Sequence, residues 1–194
     1  MDNGHKPVGI LAIQGDFELH AKVFERLGVS WKLVKHAAEL AEVSGLILPG
    51  GESTTMLKLF DGEGMGEAVK RFAEAGEPVF GTCAGAILLA REVSNPPQES
   101  LRLLDIAIER NAYGRQVDSS VRTGHCPEIT DQPVEMVFIR APIIRRVGAG
   151  VRVLGQCDGL PVLVEQGNLL AATFHPELTE DETVHRYFLG KLNH

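Results

Sequence analysis

The sequence predicts an α/β fold built on a mostly parallel sheet, and three observations carry that reading. Through the first ninety residues, short apolar runs alternate with stretches of helical periodicity. Several of those runs end in glycine turns, as in "LILPGG" and "PVFGT", instead of in long loops. The spacing between runs is that of βαβ units, which demand parallel strands with helices packed on both faces.

The elements follow in order. "VGILAI" (8–13) reads as a buried strand, and "FELHAKVFERLG" (17–28) carries Leu19, Val23, Phe24 and Leu27 at helical spacing before Gly28 stops it. "WKLVK" (31–35) is a second strand, 37–43 a short helical stretch, and "GLILPGG" (45–51) a third strand. A helix is expected over 54–75, interrupted around "DGEGMG" (61–66), then the strand "PVFGT" (78–82) and a helix from 84 to 92. In the second half, "LLDIAIER", "VEMVFIRA", "VRVLGQC", "PVLVEQG" and "NLLAATFHP" crowd together with little room for helices. They are expected to extend the same sheet in antiparallel or mixed fashion. The last helix, in "TEDETVHRYFLGKL", shows a capping-box pattern in Thr179 and Glu182. The loops 94–100 and 124–133 are expected to be exposed. No repeat, low-complexity tract or linker divides the chain, so residues 1–194 read as one domain.

Composition narrows the function. A net charge of -7 argues against a nucleic-acid or anionic-membrane surface as the main binding face. No apolar run approaches the ~20 residues of a membrane span, and the N-terminus lacks a signal-peptide pattern. Cys83, Cys126 and Cys157 form no CxxC pair. A disulfide framework or zinc site is therefore not expected, and a reducing cytoplasm fits best. The histidines at 5, 20, 36, 125, 185 and 194 show no metal spacing and read as surface residues.

Three segments carry chemistry. Gly81-Thr82-Cys83-Ala84-Gly85 has the form of a nucleophile elbow with cysteine in the nucleophile's place. A strand turning sharply into a helix would present the thiol near a helix N-terminus, which favours thiolate, and would free the Ala84 amide as an oxyanion donor. "FHPE" ends the strand "LLAATF" and offers His175 as a base with Glu177 to orient it. "LILPGGEST" places Gly50 and Gly51 where backbone meets a ligand closely and a second oxyanion N–H is available; without a following Gly-Lys-Ser/Thr it is no P-loop. Each segment has a plain alternative: a buried core thiol, a surface His-Pro-Glu turn, and a strand–helix turn capped by Ser53 or Thr54.

Taken together, "ILAIQGDFELH", "LILPGGESTTM", "FGTCAGAILLA", "IERNAYGRQVDS", "FIRAP" and "FHPELTED" resemble the class I (triad) glutamine amidotransferases. Within them they are most similar to the family of glutaminase subunits of pyridoxal 5'-phosphate synthase (the PdxT family). The resemblance spans almost the whole chain. It implies a three-layer, flavodoxin-like α/β sandwich that hydrolyses L-glutamine to L-glutamate and ammonia. It makes Cys83 the nucleophile, His175 the general base and acid, Glu177 the orienter, and the backbone of Gly51 and Ala84 the oxyanion hole. Gly50, Gly51, Glu52, Ser53, Arg110, Ile139 and Arg140 would bind glutamine, and Gln14 would lie near the oxyanion loop and a subunit interface. The ammonia would pass to a (β/α)8 synthase subunit that makes pyridoxal phosphate, with no metal or cofactor in this chain. Two other classes remain open on these residues: a different cysteine hydrolase or stress protein on a related sheet, and a non-enzymatic scaffold with an inert Cys83.

Overall fold

The computed structural model describes residues 6–112 and 119–193. Along the chain come β1 (Val8–Leu11), α1 (Phe17–Leu27), β2 (Trp31–Val34), a 3-10 turn (Ala37–Glu42) and β3 (Leu46–Leu48). Next are α2 (Ser53–Glu63), α3 (Met65–Glu74), β4 (Val79–Thr82) and α4 (Ala84–Leu89). The second half holds β5 (Ala90–Ser94), β6 (Leu104–Glu109), β7 (Ser119–Gly124), β8 (Val134–Ile139), β9 (Ile143–Val147), β10 (Arg152–Cys157), β11 (Leu160–Gln166) and β12 (Leu169–Ala172). Helix α5 (Thr183–Gly190) follows them.

The main sheet has the order β10-β11-β12-β4-β3-β1-β2. Strands β2, β1, β3, β4 and β12 are parallel, and β11 runs antiparallel to both its neighbours. This is the flavodoxin-like order with β12 in the fifth place and a mixed edge beyond it. Because successive strand residues face opposite sides, Leu46 and Leu48 enter one core with Met56, Phe60, Val69 and Phe72 of α2 and α3. Ile47, Phe80 and Leu170 enter the other with Phe24 of α1 and Phe188 of α5. Both faces are covered, giving three layers. Near-continuous apolar strands are what such burial requires.

The interruption at 61–66 is present: Gly64, at φ 67°, ends α2 and starts α3. Four expectations change. The helix expected to reach residue 92 ends at Leu89, because Ala90–Ser94 turns into β5 and pairs with β6. The runs at 104–109 and 134–139 do not join the main sheet. The first pairs with β5 and β9, and the second forms a hairpin with β7. Both show alternating burial, the mark of strands covered on one face only, whereas the central strands are buried throughout. The capping box at Thr179 does not form: α5 starts at Thr183, whose N–H donates to the Asp181 carboxylate (2.9 Å), while Thr179 Oγ1 accepts from Asp181 N–H (3.1 Å). Finally, His20 and His185 are fully buried, while His36 and His125 are exposed as expected. His5 and His194 lie outside the described residues, as does 113–118 of the "IERNAYGRQVDS" segment. Among the described residues no helix is long and apolar enough to cross a membrane.

Candidate active site

Four parallel strands deliver their C-terminal ends to one place. Gln14 follows β1, Gly50–Ser53 follows β3, Cys83 follows β4 and His175 follows β12. In parallel α/β sheets, ligands bind in the crevice beyond these ends.

Cys83 is built into a strained turn, with φ 48° and ψ -101°. Holding a non-glycine residue there costs ~1–3 kcal/mol, which the surrounding packing must maintain. The flanking glycines explain how it is held. A Cβ on Gly81 would stand 2.5 Å from the Gly85 carbonyl carbon, and one on Gly85 would stand 2.0 Å from Leu48 O. The elbow, α4 and β3 thus meet chiefly through backbone. Cys83 N–H donates to Ala172 O at 2.8 Å, which fastens the elbow to β12. Three residues further, His175 N–H donates to Val137 O at 2.8 Å, so β8 fixes the other partner.

The side chains then line up. His175 Nδ1 lies 2.7 Å from Glu177 Oε1, both groups are buried, and the imidazole shares the cavity wall with Cys83. Burial disfavours charge on His175, but its interactions with Cys83 and Glu177 outweigh it and raise the ring to about 10. Glu177 behaves in the complementary way: burial opposes its ionisation, yet His20 and His175 hold it below the usual carboxylate range. With Nδ1 engaged by Glu177, Nε2 is the nitrogen left for the thiol proton.

Above Cys83 opens a cavity of about 420 Å³. Its walls include Gln14, Gly51, Glu52, Ser53, Arg110, Ile139 and Arg140, together with Cys83, Ala84 and His175. Gly50 stands just behind, where an added Cβ would lie 2.5 Å from His175 Cε1. Gln14 Oε1 accepts from Glu52 N–H (2.9 Å) and so ties β1 to the glycine loop. A Cβ on Gly51 would strike that same oxygen at 2.5 Å. Ser53 and Thr54 do not cap α2; Glu52 does, its carboxylate accepting from the N–H groups of Thr54 and Thr55 and from the Thr55 hydroxyl. The Thr55 hydroxyl, opposed by partial burial but joined by these amides, pulls Glu52 down to about 2. Arg110 donates to Thr54 Oγ1 (3.2 Å) and lies 3.6 Å from Glu52 Oε1.

Several neighbours escaped sequence reasoning. Asp16 and Asn111 line the cavity, and Gln98 receives the Ser53 hydroxyl at 2.9 Å. Gln98 belongs to the 94–100 loop, whose proline-rich composition signalled only exposure. Asp16, His175 and Glu177 are also the one cluster of metal-ligating side chains among the described residues. A cation there would have to break the His175–Glu177 bond. Cys126 and Cys157 lie buried and unpaired away from the cavity, and burial pushes the Cys126 thiol up to about 11.

A cysteine, a histidine and a carboxylate brought together at the C-terminal edge of a parallel sheet, beneath a cavity, form the arrangement of a thiol hydrolase. The model of the SNO glutamine amidotransferase family matches residues 10–194, and the chain belongs to that family. It is 54% identical over 192 residues to the pyridoxal 5'-phosphate synthase subunit PdxT of Solibacter usitatus, covering 96% of this chain and 100% of the relative. The subunit of the same name from Thermus thermophilus is 52% identical over 184 residues, 94% of this chain and 95% of that one. Among solved structures, a glutamine amidotransferase superposes with a TM-score of 0.91 at 46% identity, covering 96% of this chain and 99% of that chain. The structure of PurLQS from Thermotoga maritima shares the fold, with a TM-score of 0.71 at 16% identity over 97% of this chain and 100% of the matched one.

Proposed function

We propose that the chain, as one glutaminase domain, hydrolyses L-glutamine to L-glutamate and ammonia and passes the ammonia to a pyridoxal 5'-phosphate synthase subunit. The observation that carries the catalytic part is the buried Cys83–His175–Glu177 line beneath the cavity. His175 Nε2 takes the thiol proton as Cys83 Sγ bonds to the side-chain amide carbon of glutamine. Negative charge then develops on the amide oxygen, against the N–H groups of Ala84 and Gly51. Ala84 is the first residue of α4, so its amide has no intrahelical acceptor. The C–N bond breaks as His175 returns its proton to nitrogen, releasing ammonia and leaving a γ-glutamyl thioester. Water activated by His175 attacks the thioester, glutamate leaves and the thiol recovers its proton.

The far end of the cavity suits an amino-acid head group. Arg110 presents a guanidinium fork for the α-carboxylate, and Glu52 an anion for the α-ammonium. The names of the PdxT relatives support a synthase partner, and Gln14, tied to the glycine loop, is where its docking would be transmitted to the oxyanion hole. Three unpaired thiols fit a reducing cytoplasm. The test is ammonia release from glutamine by this chain with and without the synthase subunit. Little activity is expected alone and clear activity in the complex. Substantial turnover by a Cys83→Ala protein in that complex would end the assignment.

A further inference from the structure

His20 of α1 and His185 of α5 lie behind the triad with no exposure to solvent. His20 Nδ1 is 3.0 Å from His185 Nε2. His20 Nε2 is 3.3 Å from Thr82 Oγ1, on the residue before the nucleophile, and 3.5 Å from Glu177 Oε2. That oxygen is the one His175 does not use, and it makes no hydrogen bond of its own; His185 Nδ1 is likewise buried without a partner.

These contacts choose the tautomers. If His20 carried its proton on Nδ1, His185 would have to carry its own on Nδ1, a buried N–H with no acceptor. His20 would also turn a bare lone pair toward a carboxylate. With the proton on His185 Nε2, His20 accepts at Nδ1 and carries its proton on Nε2, directed at Thr82 and Glu177. Glu177 Oε2 then faces an N–H dipole at 3.5 Å, and His185 Nδ1 is left as a bare acceptor, less costly than a buried N–H without one. We propose that His20 is a positioning residue for the site: its Nε2–H supports the second carboxylate oxygen of Glu177, and His185 holds His20 in the tautomer that allows it. The proposal rests on the catalytic reading above and adds residues that touch neither glutamine nor the reacting atoms.

The neutral state this needs is consistent with the surroundings. Burial holds both rings below the ordinary histidine range, His185 at about 3. The titratable groups facing His20 are Glu177, His175, Asp16 and His185, while Arg26 faces His185. His185 itself packs edge-on against Phe24 and Phe80, with centroids at 5.8 and 6.1 Å.

Removing the Nε2–H leaves Glu177 Oε2 buried and unsupported, so the carboxylate takes up a proton more readily. With that negative charge weakened, His175 accepts the thiol proton less readily. The experiment compares His20→Leu, His20→Gln and His185→Phe with the unaltered chain, in complex with the synthase subunit. It measures glutamine turnover and the pH profile of Cys83 alkylation by iodoacetamide, with thermal melts alongside. For His20→Leu we expect kcat down roughly tenfold, a fraction of what positioned proton transfer supplies. KM should stay within about twofold, and the acid limb of alkylation should move up by about one pH unit. His20→Gln, whose amide N–H reaches the Nε2 position, should restore most of both. His185→Phe keeps the aromatic packing and should move the limb in the same direction, which keeps the proposal testable if His20→Leu does not fold. An unmoved acid limb in His20→Leu and His185→Phe, or equal losses in His20→Leu and His20→Gln, would overturn it. Cys83→Ala distinguishes the two failures: turnover there sinks the catalytic reading, whereas an unmoved limb with a dead Cys83→Ala sinks only the role of His20.

Discussion

Gly85→Ala isolates what the elbow requires, because the change adds one methyl group and removes nothing. The new Cβ would stand 2.0 Å from Leu48 O and 2.8 Å from the Leu48 carbonyl carbon. Ordinary carbon contacts sit near ~3.5 Å, so α4 must retreat from β3 by roughly 1–1.5 Å. The obstacle is main chain of a central strand, which no side-chain rotation relieves. Overpacking of this kind costs ~1–3 kcal/mol, and the better helix propensity of alanine returns up to ~1 kcal/mol. The net loss of ~0–2 kcal/mol lowers Tm by up to about 8 °C for a chain of this size. Activity should suffer far more, since Cys83 lies two residues away and ~1 Å of misplacement at a reacting group costs on the order of 10²-fold. The assay is glutamine turnover in the synthase complex, paired with a melt of the free chain. Gly190→Ala is the matched control: that glycine is also helical, but its Cβ would meet nothing within 4 Å. It should leave turnover unchanged. Undiminished turnover in Gly85→Ala would refute the claim that backbone contact between α4 and β3 sets the thiol.

Arg110→Lys keeps the charge but loses the fork that Thr54 orients. KM for glutamine should rise about tenfold, ~1.4 kcal/mol of binding, with kcat within about twofold; a fall in kcat at constant KM would contradict a head-group role. Acid should weaken the fold through His185. Its pKa is lowered from 6.5 to about 3, so below 6.5 the unfolded chain binds a proton that the folded chain refuses. Stability is therefore lost as pH falls, by about 2 kcal/mol between pH 7 and pH 5 for this residue. His20, also held low, adds in the same direction, and His175, held high, opposes it weakly. Urea melts at the two pH values should show the loss in the unaltered chain and about 2 kcal/mol less of it in His185→Phe, where the other groups still contribute. Parallel losses in both proteins would contradict this.

The parallel half of the fold was legible because its strands are buried on both faces and its helices are amphipathic, so apolar runs and 3.6-residue periodicity both point the same way. Gly64 was legible for a local reason, since a left-handed residue between two helical stretches asks for glycine. Strands β6 and β8 were assigned to the wrong sheet because alternation reports that one face is covered, but not by what. Likewise, Ala90 follows a good helical run, and only its pairing with β6, fourteen residues away, makes it a strand. Local propensity gives way to a ladder there.

The site divides along the same line. Cys83, Gly81 and Gly85 announce themselves because a strained turn admits few residue types, and His175 and Glu177 because they sit two apart at a strand end. His20 and His185 were misread as surface residues although His20 shares a buried helix face with Phe24, four residues on. Periodicity placed Phe24 in the core, and the same argument places His20 there, since i and i+4 share a face. A polar residue on that face needs a buried partner, and the partner, Glu177, is 157 positions away with its own role already assigned. Sequence spacing reads the first contact Glu177 makes, to His175, because that contact is local. The second contact comes from helix packing against β4 and the 176–178 turn. It becomes visible only when the unused oxygen of Glu177 is asked what faces it.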